Sequence, residues 1–119
     1  MKQPLGTSDL RAMKGKEKIA MLTAYDYTSA TLFDRAGVDM LLVGDSLGMV
    51  MLGRPDTVSV TLEDMISHTR SVIGGVERAM VVADLPFMTY ERSVDSALKN
   101  SAELVQKSGV RAIKLEGPY

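Results

Sequence analysis

Apolar positions along the chain form short unbroken runs, separated by longer stretches in which they recur every three or four residues. Ile19-Ala20-Met21-Leu22, Met40 to Val43 and Met80 to Ala83 are runs of the kind that buried strands make, and Ala112 to Glu116 is a fourth, with Lys114 inside it. Between the first two runs, Ala30, Leu32, Phe33 and Ala36 fall on helical spacing, and Gly37 follows as a residue suited to a helix end. Between the second and third, Thr61 with Asp64 three residues on marks a helix start, and Leu62, Met65, Ile66, Thr69, Val72 and Ile73 make one face, with Gly74-Gly75 as the stop. Ser93 caps the clearest helix, with Val94, Ala97, Leu98, Leu104 and Val105 on its apolar side and Gly109 at its exit.

The first 17 residues are polar and carry Pro4, Gly6 and Gly15. They read as an arm in which Ser8-Asp9 caps a short helix through Met13. Gly44-Asp45-Ser46-Leu47-Gly48 reads as a loop, and Pro86 ends the third run because proline cannot donate to a sheet ladder. From residue 18 the order is strand, helix, strand, helix, strand, helix, strand, the order of parallel βα units joined by right-handed crossovers. Doubly wound sheets and (β/α)8 barrels both begin this way.

Three runs end on or beside an acid in the same relation: Asp45, Asp84 and Glu116. The C-terminal ends of parallel barrel strands open onto one face, so acids far apart in sequence can converge there. The alternative for each is a turn or a cap, a common use of aspartate where a loop begins. Asp26, between Tyr25 and Tyr27 at the end of the first run, is the weaker candidate. Lys114 alternates with Ile113 and Leu115 and is expected to face the barrel interior near its mouth. Its partner there is either a substrate carboxylate or metal-bound acid, or Glu116 two residues on. Ser46 and the amides of its glycine-bracketed turn suit a carboxylate. His68, inside a helix and with no acid beside it, reads as a surface or packing residue.

Composition narrows the chemistry. Lysine plus arginine number 14 against 15 acids, a net charge of −1, which offers no broad attraction for nucleic acid or an anionic membrane. With no cysteine and one histidine, a thiolate nucleophile, a disulfide framework and a His-rich zinc site are excluded, so a metal here is held by oxygen, as suits Mg²⁺, Mn²⁺ or Ca²⁺. No apolar segment approaches the roughly 18 residues of a membrane span, and a cytoplasmic address is the expectation. There is no GxGxxG after a strand and no Walker-type Gly-Lys-Ser/Thr.

The segments TAYDYTSA (23–30), LLVGDSLGMVMLG (41–53), ADLPFMTY (83–90) and IKLEG (113–117), in this order and spacing, resemble the ketopantoate hydroxymethyltransferase family. The resemblance implies a (β/α)8 TIM barrel, of which residues 18–119 supply about the first four βα units. It implies transfer of a one-carbon unit from 5,10-methylenetetrahydrofolate to the 2-oxo acid α-ketoisovalerate, in pantothenate and coenzyme A synthesis. By the same resemblance Asp45 and Asp84 ligate Mg²⁺, Glu116 lies near it and acts through water, and Ser46 and Lys114 join Asp45 and Asp84 in holding the keto acid. Family members are more than twice this length, assemble as homo-oligomers, and carry their general base, a glutamate, in the second half of the barrel. The chain is therefore expected to be an N-terminal portion, inactive alone and without that base. At Gly117-Pro118 the family more often has a second glycine. Two other readings stand beside this one: a metal-dependent lyase of another 2-oxo acid, and a non-catalytic fragment or assembly module.

Overall fold

The computed structural model describes residues 3–117, so Pro118, singled out above, lies outside the described residues along with Met1, Lys2 and Tyr119. Four strands, β1 (Met21–Thr23), β2 (Met40–Val43), β3 (Met80–Asp84) and β4 (Ala112–Lys114), form one parallel sheet in the order β1-β2-β3-β4. Spatial order equal to chain order is what a barrel requires. A doubly wound sheet reverses direction at a switch point, and this one does not.

Helices α2 (Tyr27–Arg35), α4 (Leu62–Gly75) and α5 (Val94–Ser108) follow β1, β2 and β3 and pack on one face of the sheet. That face is set by the pleat. Leu41 and Val43 of β2 and Val81 and Ala83 of β3 point to the helices and share a core with Ala30, Met65, Val72 and Leu104. The alternate residues Met40, Leu42, Met80, Val82 and Ala112 line the opposite, concave face, and α1 (Thr7–Met13) lays Leu10 against Met80 and Val82 there. The Leu5 amide donates to the Arg78 carbonyl at 2.7 Å, which fixes α1 to the start of β3.

Local chemistry explains the boundaries. Thr61 and Asp64 form a reciprocal capping box at α4, and the Ser93 side chain accepts from the Ser96 amide at α5. Gly109 closes α5 in the left-handed region, φ 84°. Gly75 marks a close approach of α2 and α4, for a Cβ built there would lie 2.7 Å from the Tyr27 carbonyl oxygen and 2.9 Å from Thr31 Oγ1. Asp34 of α2 reaches the turn before β3 and accepts from the amides of Glu77, Arg78 and Ala79. Burial opposes its charge, but those three donors prevail and hold its carboxyl below the ordinary aspartate range.

Several details depart from the sequence reading. α1 begins at Thr7 with Gly6 as its N-cap, and Asp9 returns to accept the Gly6 amide, so Ser8-Asp9 is inside the helix and does not precede it. β1 is exposed at all three residues because it is an edge strand with a neighbour on one side only. Leu47–Val50, expected as loop, makes a helical turn, α3. It can, because Gly48 lets it press on Val60: a Cβ at Gly48 would meet Val60 Cγ2 at 2.5 Å. The two glycines expected to stop α4 are its last residues, and Val76 is the cap. Among the described residues, no helix is long and apolar enough to cross a membrane.

Candidate metal and carboxylate site

The strand register assembles the site. β3 and β4 pair with Asp84 opposite Lys114, and ladder partners project from the same face, here the concave one. Lys114 Nζ lies 3.0 Å from Asp84 Oδ1 and 3.0 Å from Glu116 Oε2, so the ion pair with Glu116 weighed from sequence forms and Asp84 joins it. The other Asp84 oxygen, Oδ2, accepts from the Asp45 amide at 3.1 Å, which ties the end of β2 to the end of β3. One carboxylate oxygen each from Asp45, Asp84 and Glu116 lies within 4.8 Å of the others.

Burial differs among the three. Asp84 is 3% exposed, Asp45 is half-buried and Glu116 is open to solvent on the strand exit. The Tyr90 hydroxyl donates to the Glu116 carbonyl and steadies that exit. At Gly44 a Cβ would come within 3.3 Å of Asp84 Oδ2 and 3.4 Å of Ser46 Oγ, so these two oxygens flank one small space that the glycine keeps clear. Tyr25, at the end of β1, places its hydroxyl 2.7 Å from Ser46 Oγ, and its carbonyl accepts from His68 Nδ1 at 2.7 Å. His68 is thus a packing residue with a partner that sequence could not show. Asp26 is the N-cap of α2, accepting from the Ser29 amide at 2.7 Å, and stands outside the acid cluster.

Three carboxylates face one ammonium, which leaves negative charge uncompensated. Burial, and then the charges of Asp84 and Glu116, push the Asp45 carboxyl above the ordinary aspartate range. Burial works against the Lys114 ammonium, but its hydrogen bonds to Asp84 and Glu116 raise it above an ordinary lysine. An all-oxygen donor set with surplus negative charge fits a hard divalent cation, and Asp45, Asp84 and Glu116 are the residues that could hold it.

The raised Asp45 carboxyl has a consequence for stability. The folded chain holds this proton more tightly than the unfolded chain, so the stability it contributes is complete below the unfolded value near 3.8 and is lost as pH rises through the higher folded one. Asp45→Asn removes that loss. In the absence of divalent metal, its urea midpoint is expected to exceed the parent's at pH 7, with the gap closing at pH 3.5 or so. An unchanged or lower midpoint at pH 7 would contradict the charge crowding.

Residues 5–119 match the family model for ketopantoate hydroxymethyltransferase. The chain is 64% identical over 115 residues to the 3-methyl-2-oxobutanoate hydroxymethyltransferase of Nitratidesulfovibrio vulgaris (strain Hildenborough), covering 97% of this chain and 38% of that protein. It is 57% identical over 107 residues to the protein of the same name from Pyrococcus abyssi, covering 90% of this chain and 38% of that one. The chain therefore spans well under half the length of these relatives. Among solved structures it is similar to 2,3-dimethylmalate lyase, a member of the PEP mutase/isocitrate lyase superfamily (TM-score 0.65, 25% identity, 94% of this chain and 40% of that one). It is similar in fold to oxaloacetate acetylhydrolase in complex with oxalate (TM-score 0.67, 21% identity, 97% of this chain and 40% of that one).

Proposed function

The chain belongs to the ketopantoate hydroxymethyltransferase family, and from that premise we propose that it supplies the metal- and 2-oxo-acid-binding part of a hydroxymethyltransferase. The reaction is transfer of a hydroxymethyl group from 5,10-methylenetetrahydrofolate to 3-methyl-2-oxobutanoate, giving ketopantoate for pantothenate and coenzyme A. The observation that carries the reading is the meeting of Asp45, Asp84 and Glu116 within 4.8 Å beside Lys114, at the C-terminal ends of parallel strands.

The cation is Mg²⁺ in this proposal, held by Asp45 and Asp84 directly and by Glu116 through water. When bound, it would supply a Lewis acid for the keto oxygen and so make the neighbouring C–H more acidic. Lys114, kept charged by its two acids, and the Ser46 hydroxyl receive the substrate carboxylate. Asp84 serves twice, since one oxygen fixes the lysine and the other fixes the turn that carries Asp45 and Ser46. Proton removal is assigned to a glutamate outside these residues. Residues 18–119 form the N-terminal half of the barrel with residues 1–17 as an arm, and the completed enzyme is a cytoplasmic homo-oligomer.

Calorimetric titration with α-ketoisovalerate, with and without Mg²⁺, tests this part of the reading. Binding is expected only with the metal, and turnover with methylenetetrahydrofolate only when the barrel is complete. Equal binding in EDTA would sink it. The likeness to 2,3-dimethylmalate lyase favours a second reading, a lyase of another 2-oxo acid built on the same metal site. Cleavage of a 2-oxo acid other than α-ketoisovalerate, with no folate requirement, would select it.

A further inference from the structure

We propose that Tyr25 is a positioning residue for the substrate carboxylate, acting through Ser46, and that His68 holds it in place. This rests on the reading of Ser46 as a carboxylate donor. A serine hydroxyl has one proton and can turn it toward any nearby acceptor, so as an anion donor it needs something to decide its direction. Tyr25 does so. Its hydroxyl lies 2.7 Å from Ser46 Oγ, and a phenolic hydroxyl is a stronger hydrogen-bond donor than an aliphatic one. With one Ser46 lone pair taken by Tyr25, the serine proton is left to point elsewhere. Ser46 Oγ and Asp84 Oδ2 both lie within 3.4 Å of where a Cβ on Gly44 would stand, so this hydroxyl sits beside the acid cluster.

Tyr25 is well placed to give such direction because its backbone is fixed from two sides. Its carbonyl only accepts, so His68 Nδ1 carries the proton in their 2.7 Å bond, and that ring belongs to α4, a helix rooted in the core. The next residue, Asp26, caps α2. The tyrosine ring packs on the same core cluster. A hydrogen-bonded chain therefore runs from α4 through the end of β1 to the turn after β2, and its last member is the hydroxyl at the site.

The test is a double-mutant cycle in the full-length protein, read as α-ketoisovalerate affinity with saturating Mg²⁺. Tyr25→Phe keeps the ring and removes only the donor. It is expected to weaken binding about 3- to 10-fold, as loss of one neutral hydrogen bond does. In the Ser46→Ala background the same change should have almost no further effect, because its means of action is gone. Manganese affinity, followed by the paramagnetic signal of the free ion, should be the same in Tyr25→Phe and the parent. Three results overturn the proposal: parent-like keto acid affinity in Tyr25→Phe, full additivity with Ser46→Ala, or a parallel fall in metal affinity that makes the effect a general loosening of the site. Absence of Mg²⁺-dependent keto acid binding in the parent itself is a separate result. It strikes the functional reading on which this one stands.

Discussion

Asp84→Asn is expected to remove Mg²⁺-dependent binding of α-ketoisovalerate by a factor of at least about 100, since changes merely next to metal ligands cost some 10- to 100-fold. Asp84 is the one acid of the cluster that is almost wholly buried, 3% exposed, and its two oxygens have different tasks. Oδ1 faces the Lys114 ammonium and Oδ2 the Asp45 amide. An amide of the same shape cannot serve both, because turning its oxygen to one partner turns its N–H₂ toward the other, and both partners are donors. The substitution thus disturbs Lys114 and the turn bearing Asp45 as well as removing a negative charge from the cluster. Calorimetry gives the affinity and thermal unfolding shows whether the fold persists. Binding retained within about threefold would remove Asp84 from the site.

The second large effect concerns stability. Gly75→Ala should lower the free energy of unfolding by about 1–3 kcal/mol, the usual cost of forcing extra volume into a tight contact, whereas Gly74→Ala should change it by less than about 1 kcal/mol, and toward greater stability. The two positions adjoin at the end of α4, so helix propensity alone treats them nearly alike. Their surroundings do not. A Cβ at Gly75 meets backbone at 2.7 Å and the Thr31 hydroxyl at 2.9 Å, the same hydroxyl that donates to the Gly75 carbonyl, while at Gly74 the nearest atom is a Tyr27 ring carbon at 3.9 Å. Urea titration of the two variants decides it. Equal midpoints would mean that α2 and α4 can part without cost.

Much of this arrangement was legible in the sequence where one local rule decides the outcome. The capping box of α4 and the serine cap and glycine exit of α5 follow from the residues at those helix ends, and the β2 and β3 runs from their unbroken apolar character. The strand-end acids and Lys114 were legible because the alternation of a strand fixes which side chains share a face. What escaped depends on neighbours. The Ile19 to Leu22 run looked buried, yet Met21 and Leu22 are 49% and 45% exposed at the sheet edge. Val94 and Leu98 of α5 were expected on its buried side but are 77% and 66% exposed, and Leu104 carries the contact with the core. An apolar stripe states which face is available for burial, and only the packing partner determines how much of it is used. Tyr25 and His68 escaped for the same reason, since their bond joins residues 43 positions apart and leaves no mark in local spacing.

The pairing of Asp84 with Lys114 across β3 and β4 also bears on how such a protein can vary. Since the ladder, continued by the Leu85 amide on the Lys114 carbonyl, sets these two at the same height, their alignment does not depend on the length of the loop, helix and return between them. The strands have no such latitude. A slip of β4 by one residue would turn Lys114 toward the helices and bring Ile113 to the acids, exchanging an ammonium for a butyl group in a single step. Engineering is thus better directed to the connections than to these strand positions.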